Sequence, residues 1–180
     1  MPRTRLPNDL PEHLHSPGGV PIRPVPAPLA RRFQQICASM VAKALEGAGV
    51  VQLEFAVLVF IDDVSGIDQR SLAEAMGIAR NNVSLIIDEL EKKGLVERRI
   101  NGADRRAREL YLTPRGKELR RRTQPKIRAA NDRILAPLKT AEQKHFIELL
   151  IRLVEGNRAY ARPGAGRRKR GSLQSTAGNK

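Results

Sequence analysis

Residues 66–114, GIDQRSLAEAMGIARNNVSLIIDELEKKGLVERRINGADRRARELYLTP, decide the fold of this 180-residue chain. Apolar residues first recur every three or four positions, which predicts two helices separated by a turn at Gly77. They then form two short strand-like runs on either side of Asn101-Gly102, which predicts a β-hairpin. Two helices joined by a tight turn and followed by a hairpin form a winged helix-turn-helix, an order typical of proteins that bind duplex DNA.

Local signals mark where these elements begin. Asp68 is placed to cap the first helix of the pair, and Thr113 followed by Pro114 starts a further helix after the hairpin. Helical spacing also marks apolar faces at Phe33, Ile36, Cys37, Met40, Val41 and Ala44; at Leu53, Ala56, Val57, Phe60 and Ile61; and at Phe146, Leu149, Leu150, Leu153 and Val154. We therefore predict a mainly α fold with a small β-wing.

Two terminal segments lie outside the periodic region. Residues 1–30 contain eight of the twelve prolines and are predicted to form a flexible, extended arm. Residues 161–180 are rich in glycine, serine and arginine and are predicted to be a basic, disordered tail. The net charge is +14, but much of the excess lies in these tails, so charge alone is weak evidence for specific DNA binding.

Composition argues against several other classes of protein. Aromatic residues make up only 3% of the chain, which disfavours a protein that stacks single-stranded bases on aromatic rings. The one cysteine, Cys37, excludes an internal disulfide and fits the reducing cytoplasm. We find no membrane-length apolar run, signal peptide, metal-ligand cluster, nucleophile elbow or phosphate loop. We therefore expect a cytoplasmic protein that is no enzyme, contacts no membrane, and needs no metal or cofactor.

The second helix of the pair, predicted from Ala79 to Lys93, contains the candidate DNA-reading residues. Its inward face is predicted to be Val83, Ile86, Ile87 and Leu90, which leaves Arg80, Asn81, Asn82 and Ser84 exposed near its start. Arginine pairs with guanine and asparagine with adenine in the major groove. Arg105 and Arg106, near the hairpin tip, suit a narrow minor groove, and Asp104 is placed to hold one of them.

Four separated motifs in this region resemble the MarR family of bacterial transcription regulators. They are residues 71–78, 90–98, 103–107 and 112–116, which occur in family order within about Gln52 to Leu119. The resemblance implies a domain over residues 31–160, with a winged helix at about 52–113 and dimerisation helices at about 31–47 and 114–160. It also implies a homodimer on a pseudo-palindromic operator, with Asp104 and Arg106 as the wing pair and Arg106 in the minor groove. The expected function is a repressor that a small ligand releases.

Two positions depart from the family pattern. Ala79 stands where the family often has a polar capping residue, and Leu85 stands where it often has a basic or polar one. At Leu85 the sequence is compatible with contact to a thymine methyl group or with a helix end that tilts away from the DNA.

Further alternatives stay open at this level. The basic helix from Arg115 to Arg128 suits water, DNA or an acidic effector such as an aromatic acid or an acyl-coenzyme A thioester. Cys37 shares its apolar stripe with Ile36 and Met40, so packing is favoured over oxidant sensing. The basic tails also fit an architectural protein that binds DNA without sequence preference.

Overall fold

The computed structural model of the chain describes residues 25–100 and 108–160. Within these ranges the elements follow the order α1 (Pro26–Ala44), α2 (Gln52–Asp63), α3 (Gln69–Met76), α4 (Arg80–Lys92), β1 (Val96–Ile100), β2 (Arg108–Leu112), α5 (Pro114–Leu135) and α6 (Thr140–Gly156), with a final 3₁₀ turn at Arg158–Tyr160. The fold is therefore mainly helical with one small antiparallel sheet, which confirms the predicted class.

The two strands form the base of the predicted wing. They pair antiparallel from Val96 opposite Leu112 to Ile100 opposite Arg108. The turn before α3 also joins β2, because the Gly66 N–H donates to the Leu110 carbonyl oxygen at 3.1 Å and the Leu110 N–H donates to that of Ile67 at 3.0 Å. These bonds fix the wing base to the start of the helix pair.

The core lies among α2, the helix pair and the base of the wing. Its fully buried large side chains are Leu58, Ile61, Leu72, Ile87, Leu90, Leu110, Val57 and Val83. Burial of each such side chain contributes roughly 1.5–3 kcal/mol to folding. This core holds the winged module together as one unit.

The buried face of α2 agrees with the predicted one at Val57 and Ile61 but differs from it elsewhere. Leu53 was expected to face inward but is 41% exposed, whereas Phe55 and Leu58 are buried. Since α2 is apolar on almost every side, the spacing of its apolar residues does not single out one face.

The first helix begins earlier than predicted. α1 starts at Pro26, so the last five residues of the predicted flexible arm are helical. Proline suits the first position of a helix because its fixed φ is helical and its missing N–H leaves no bond unmade. The rest of the arm, residues 1–24, and the predicted tail, residues 161–180, lie outside the described residues.

Candidate nucleic-acid interface

The helix pair is held in place by a cap at each end of α3. The Asp68 carboxylate accepts hydrogen bonds from the backbone N–H groups of Arg70 at 2.8 Å and Ser71 at 3.0 Å, and from the Ser71 hydroxyl at 2.6 Å. At the other end Gly77 adopts the left-handed conformation, with φ of 65°, which favours glycine. These signals were predicted from the sequence, and the structure confirms both.

The cap at Asp68 makes the stability of the module depend on pH. The hydrogen bonds from Ser71 lower the pKa of the Asp68 carboxyl. Because the folded pKa is the lower one, the stabilisation is present above the unfolded pKa of about 4 and is lost as the pH falls through the folded pKa. We expect Asp68→Ala to lower the free energy of unfolding by about 1 kcal/mol at neutral pH and by less in acid.

Urea unfolding of the wild type and of Asp68→Ala, at neutral pH and in acid, measures this difference. Asp68→Asn is the matched control, since asparagine also caps helices but does not titrate. An Asp68→Ala deficit that is the same at both pH values would contradict the role of the ionised carboxylate.

The inner side of α4 is anchored in the core. Val83, Ile87 and Leu90 are fully buried and Ile86 is partly buried, as predicted. Just past the end of α4, the Lys93 ammonium donates to both carboxylate oxygens of Glu54 at 2.7 and 2.8 Å. Glu54 also accepts from the Val51 N–H at 2.9 Å, so this buried carboxylate joins the start of α2 to the end of α4. The outer side of α4 is thus presented on a fixed support.

The first turn of α4 is polar and open to solvent. Arg80, Asn81 and Asn82 are all exposed, as predicted. Ala79 precedes them as the N-cap residue and supplies no side-chain hydrogen bond, which leaves this end of the helix without a side-chain cap. The Arg80 guanidinium lies 3.7 Å from the Glu74 carboxylate, and both side chains are more than half exposed. One guanidinium and two carboxamides are therefore exposed together at the start of α4.

Ser84 does not share this exposure. It was predicted to be exposed, but it is half-buried. On a helix, position 84 lies beside positions 80 and 87 and about a quarter turn from Val83, at the flank of the buried stripe. The outermost residues of the first two turns are instead Asn81, Asn82 and Leu85.

An arginine that the sequence reasoning did not single out connects the wing to α4. The Arg98 side chain, on β1, donates to Asp88 at 2.6 Å and also contacts the Glu91 carboxylate. Its backbone N–H donates to Glu91 at 3.2 Å. Asp88 and Glu91 lie three residues apart on one side of α4. Two neighbouring carboxylates of this kind could have indicated a basic side chain packed against them. Arg98 thus joins β1, at the base of the wing, to α4.

The tip of the wing falls within residues 101–107, which lie outside the described residues. Asp104, Arg105 and Arg106 are all in this segment. Their predicted roles therefore stay predictions.

A basic cleft of about 760 Å³ lies along α5, and we call it the α5 cleft. Its walls include Lys117, Arg120, Arg121, Gln124, Arg128, Asp62 and Asp132. The Arg120 guanidinium lies at the C-terminal end of α2, where it forms ion pairs with Asp62 and, at 2.9 Å, with Asp63. Two buried atoms here, Arg120 Nε and Gln124 Oε1, have no hydrogen-bond partner among the described residues. The basic residues of its lining suit a small anion.

Other chemistry is not evident in the described part of the chain. Cys37 is half-buried on α1, and burial raises the pKa of its thiol, which disfavours the reactive thiolate. Residues 25–100 and 108–160 bring no three metal-ligating side chains together. Among the same residues, no helix combines the length and the apolar character needed to span a bilayer.

Comparison with known proteins places these features in a family context. The model of the MarR family matches residues 50–107, which include the helix pair and the first strand of the wing. The chain is 31% identical over 114 residues to the transcriptional repressor MprA of Escherichia coli strain K12. That alignment covers 62% of this chain and 65% of the repressor, so the chain spans just under two thirds of its length.

Solved structures agree over a longer part of the fold. The PcaV transcriptional regulator of Streptomyces coelicolor, in complex with its natural ligand, is 30% identical with a TM-score of 0.63, covering 72% of this chain and 92% of that one. CouR of Rhodococcus jostii RHA1, bound to p-coumaroyl-CoA, is 28% identical with a TM-score of 0.64, covering 69% and 88%. The likeness therefore extends beyond the winged module into the flanking helices.

Proposed function

Because the chain belongs to the MarR family, we propose that it is a sequence-specific DNA-binding transcription regulator that acts as a repressor. The observation that carries this proposal is the first turn of α4. It presents Arg80, Asn81 and Asn82 to solvent on a helix whose opposite side is locked into the core. A helix supported in this way has the size and the rigidity to enter the major groove.

Within the groove we assign base contacts to the exposed residues of α4. Arg80 suits the O6 and N7 acceptors of guanine, and Asn81 and Asn82 suit the N6 and N7 of adenine. The uncapped start of α4 suits a phosphate, because its backbone N–H groups and helix dipole favour an anion. Ser84 is half-buried, so its role is restricted to the edge of this contact.

For the wing we propose contacts with the neighbouring minor groove. Arg106 enters the groove, Arg105 contacts the backbone beside it, and Asp104 holds Arg106 in position. Support comes from the family likeness over residues 50–107 and from the paired strands that carry this segment. The ion pairs of Arg98 with α4 keep wing and helix at a fixed spacing for both grooves.

We propose that the active form is a homodimer joined by α1, α5 and α6. No residue of α6 is buried within the chain, although Ile147, Leu149, Leu150, Ile151, Leu153 and Val154 are large apolar residues. An apolar surface of this kind on one helix indicates an interface with another copy. Phe33 on α1 packs edge-on against Phe146 at 5.5 Å between ring centres, which places both helices on the same side. Two-fold symmetry would present two α4 helices to the two halves of a pseudo-palindromic operator.

The interface proposal predicts the effect of a charge on the apolar side of α6. Leu153 is 62% exposed in the single chain, so Leu153→Glu should fold but place two like charges near each other in a symmetric dimer. We expect this variant to sediment as a monomer at concentrations where the wild type is a dimer. Lys144→Glu, on the polar side of α6, is the matched control and should remain dimeric. A dimeric Leu153→Glu protein would contradict this interface.

We further propose that an anionic small molecule, an aromatic acid or an acyl-CoA-like thioester, releases the repressor by binding in the α5 cleft. Lys117, Arg121 and Arg128 line the cleft and supply the positive charge that such an anion needs. Two relatives, PcaV and CouR, were solved with ligands of their own. A ligand shifts the equilibrium only if it binds the free form better than the DNA-bound form, so equal affinity for both forms would contradict this mechanism.

The function is tested by fluorescence anisotropy with a labelled duplex from the region upstream of the protein's own gene. A scrambled duplex of the same composition is titrated in parallel, and both are measured at two salt concentrations. We expect tighter binding to the upstream duplex, with affinity for both duplexes falling as salt rises. Equal affinity for the two duplexes would favour the architectural alternative.

A further inference from the structure

Leu85 is a large apolar side chain on the outward surface of α4. It is 65% exposed, whereas the other apolar residues of this helix, Val83, Ile86, Ile87 and Leu90, are buried or partly buried. Its position is therefore not explained by the packing of the winged module.

Helix geometry places Leu85 within the proposed reading surface. At about 100° per residue, position 85 points almost directly away from Val83 and Leu90. Asn81 lies one turn before it on the same stripe, and Asn82 lies three residues before it. A groove that receives these two carboxamides must also receive Leu85.

The residues that follow Leu85 on this side are occupied by other contacts. Asp88 is bound to Arg98 at 2.6 Å, and Glu89 is bound to Lys92 at 2.7 Å. Their carboxylates would also be repelled by DNA phosphates. Leu85 is thus the last residue along α4 that is free to meet a base edge without breaking a contact of the protein.

The chemistry of leucine selects one of the four bases. Its side chain has no donor or acceptor, so contact with the polar edge of guanine, cytosine or adenine would leave base groups unpaired. Thymine alone offers a methyl group in the major groove. We propose that Leu85 of each subunit packs on the 5-methyl group of one thymine in each half-site and so specifies that base. This inference rests on the proposed function, because it requires α4 to lie in the major groove.

The test removes the methyl group from the DNA and the leucine from the protein. The probe is the tightest-binding duplex recovered by selection from a randomised library, prepared with uracil in place of thymine at symmetry-related positions in turn. For the wild type, we expect uracil at one pair of symmetry-related positions to weaken binding by about fourfold per half-site. This is the effect of removing one buried methyl group. Uracil at the other positions should have no effect.

The Leu85→Ala variant should bind the thymine duplex and the uracil duplex with equal affinity. This affinity should be about that of the wild type for the uracil duplex. Leu85→Met is the matched control, since it keeps an apolar side chain of similar size and should retain the preference for thymine. Thermal unfolding of both variants should match the wild type, because residue 85 is exposed.

The possible failures are distinguishable. Selective binding with no sensitivity to uracil at any position, or a selected half-site without thymine, overturns the role of Leu85 and leaves the proposed function intact. Equal weakening of both duplexes by Leu85→Ala shows a contact other than the methyl group and also overturns it. Failure to select any duplex over random DNA overturns the inference together with the proposed function.

Discussion

Gly116→Ala should lower the free energy of unfolding by about 3 kcal/mol, at the upper end of the usual cost of overpacking a core. Gly116 is buried in the first turn of α5, which crosses the link between α4 and β1. A Cβ atom at this position would collide with the carbonyl oxygen of Leu95 and lie 3.1 Å from its carbonyl carbon. Backbone atoms of this kind do not rotate aside as a flexible side chain does, so the helix itself must move.

That movement is resisted by hydrogen bonds around the crossing. The Leu95 carbonyl accepts from the Thr113 N–H at 3.1 Å, and the Thr113 hydroxyl donates to the Gly94 carbonyl at 2.7 Å. Thr113 Oγ1 in turn accepts from the Gly116 N–H at 3.1 Å and so caps α5. A shift of α5 would break these bonds at the base of the wing. We therefore expect the loss to exceed the gain in helix propensity of about 1 kcal/mol that alanine brings.

Urea unfolding followed by circular dichroism, at one protein concentration, measures the effect. Gly156→Ala is the matched control, because it makes the same change in α6, where no described atom of the same chain lies within 4 Å of the new methyl group. It should leave stability unchanged or slightly raised. A Gly116→Ala protein as stable as the Gly156→Ala control would show that the close approach to Leu95 is not tight.

Asn81→Ala should abolish most of the sequence preference of the protein without affecting its fold. The side chain is exposed on the outermost stripe of α4, so its removal leaves no cavity. A bidentate contact between asparagine and adenine favours adenine over the wrong base by roughly 1–3 kcal/mol in binding free energy. A dimer makes this contact once in each half-site. We therefore expect affinity for the selected duplex to fall by about 30-fold or more, with binding to scrambled DNA unchanged.

Anisotropy titrations of both duplexes measure this change. Asn131→Ala is the matched control, because it removes the same group from an exposed position of another helix, α5. Arg106→Ala provides a contrast, since loss of a minor-groove cation should weaken binding and reduce its dependence on salt. Unchanged selectivity in Asn81→Ala would contradict the assignment of α4 to the major groove.

Much of the fold could be predicted from local signals. The cap at Asp68, the left-handed Gly77, the start of α5 at Thr113-Pro114 and the strand pair each depend on a few neighbouring residues, and the structure confirms all of them. The buried face of α2 could be predicted only in part, because this helix has apolar residues on almost every side. Tertiary packing, rather than spacing, decides that Phe55 is buried and Leu53 is exposed.

The candidate site was predictable to a similar extent. Helical spacing places Arg80, Asn81 and Asn82 on the surface, but it is a poor guide at the flank, where Ser84 is half-buried. The contacts of Arg98 with Asp88 and Glu91 depend on how β1 crosses α4, which no local pattern records. The α5 cleft likewise arises where α2 meets α5, although the basic residues of α5 indicated an anionic ligand among other possibilities.

The central claim is that this protein reads a specific DNA sequence through two copies of α4. Selection of duplexes from a randomised library, followed by sequencing, tests it without knowledge of the operator. We predict enrichment of an inverted repeat whose half-sites lie about one helical turn of DNA apart, the spacing that a two-fold dimer requires. Recovery of bound DNA with no enriched motif would contradict the claim and would identify a protein that binds DNA through its charge alone.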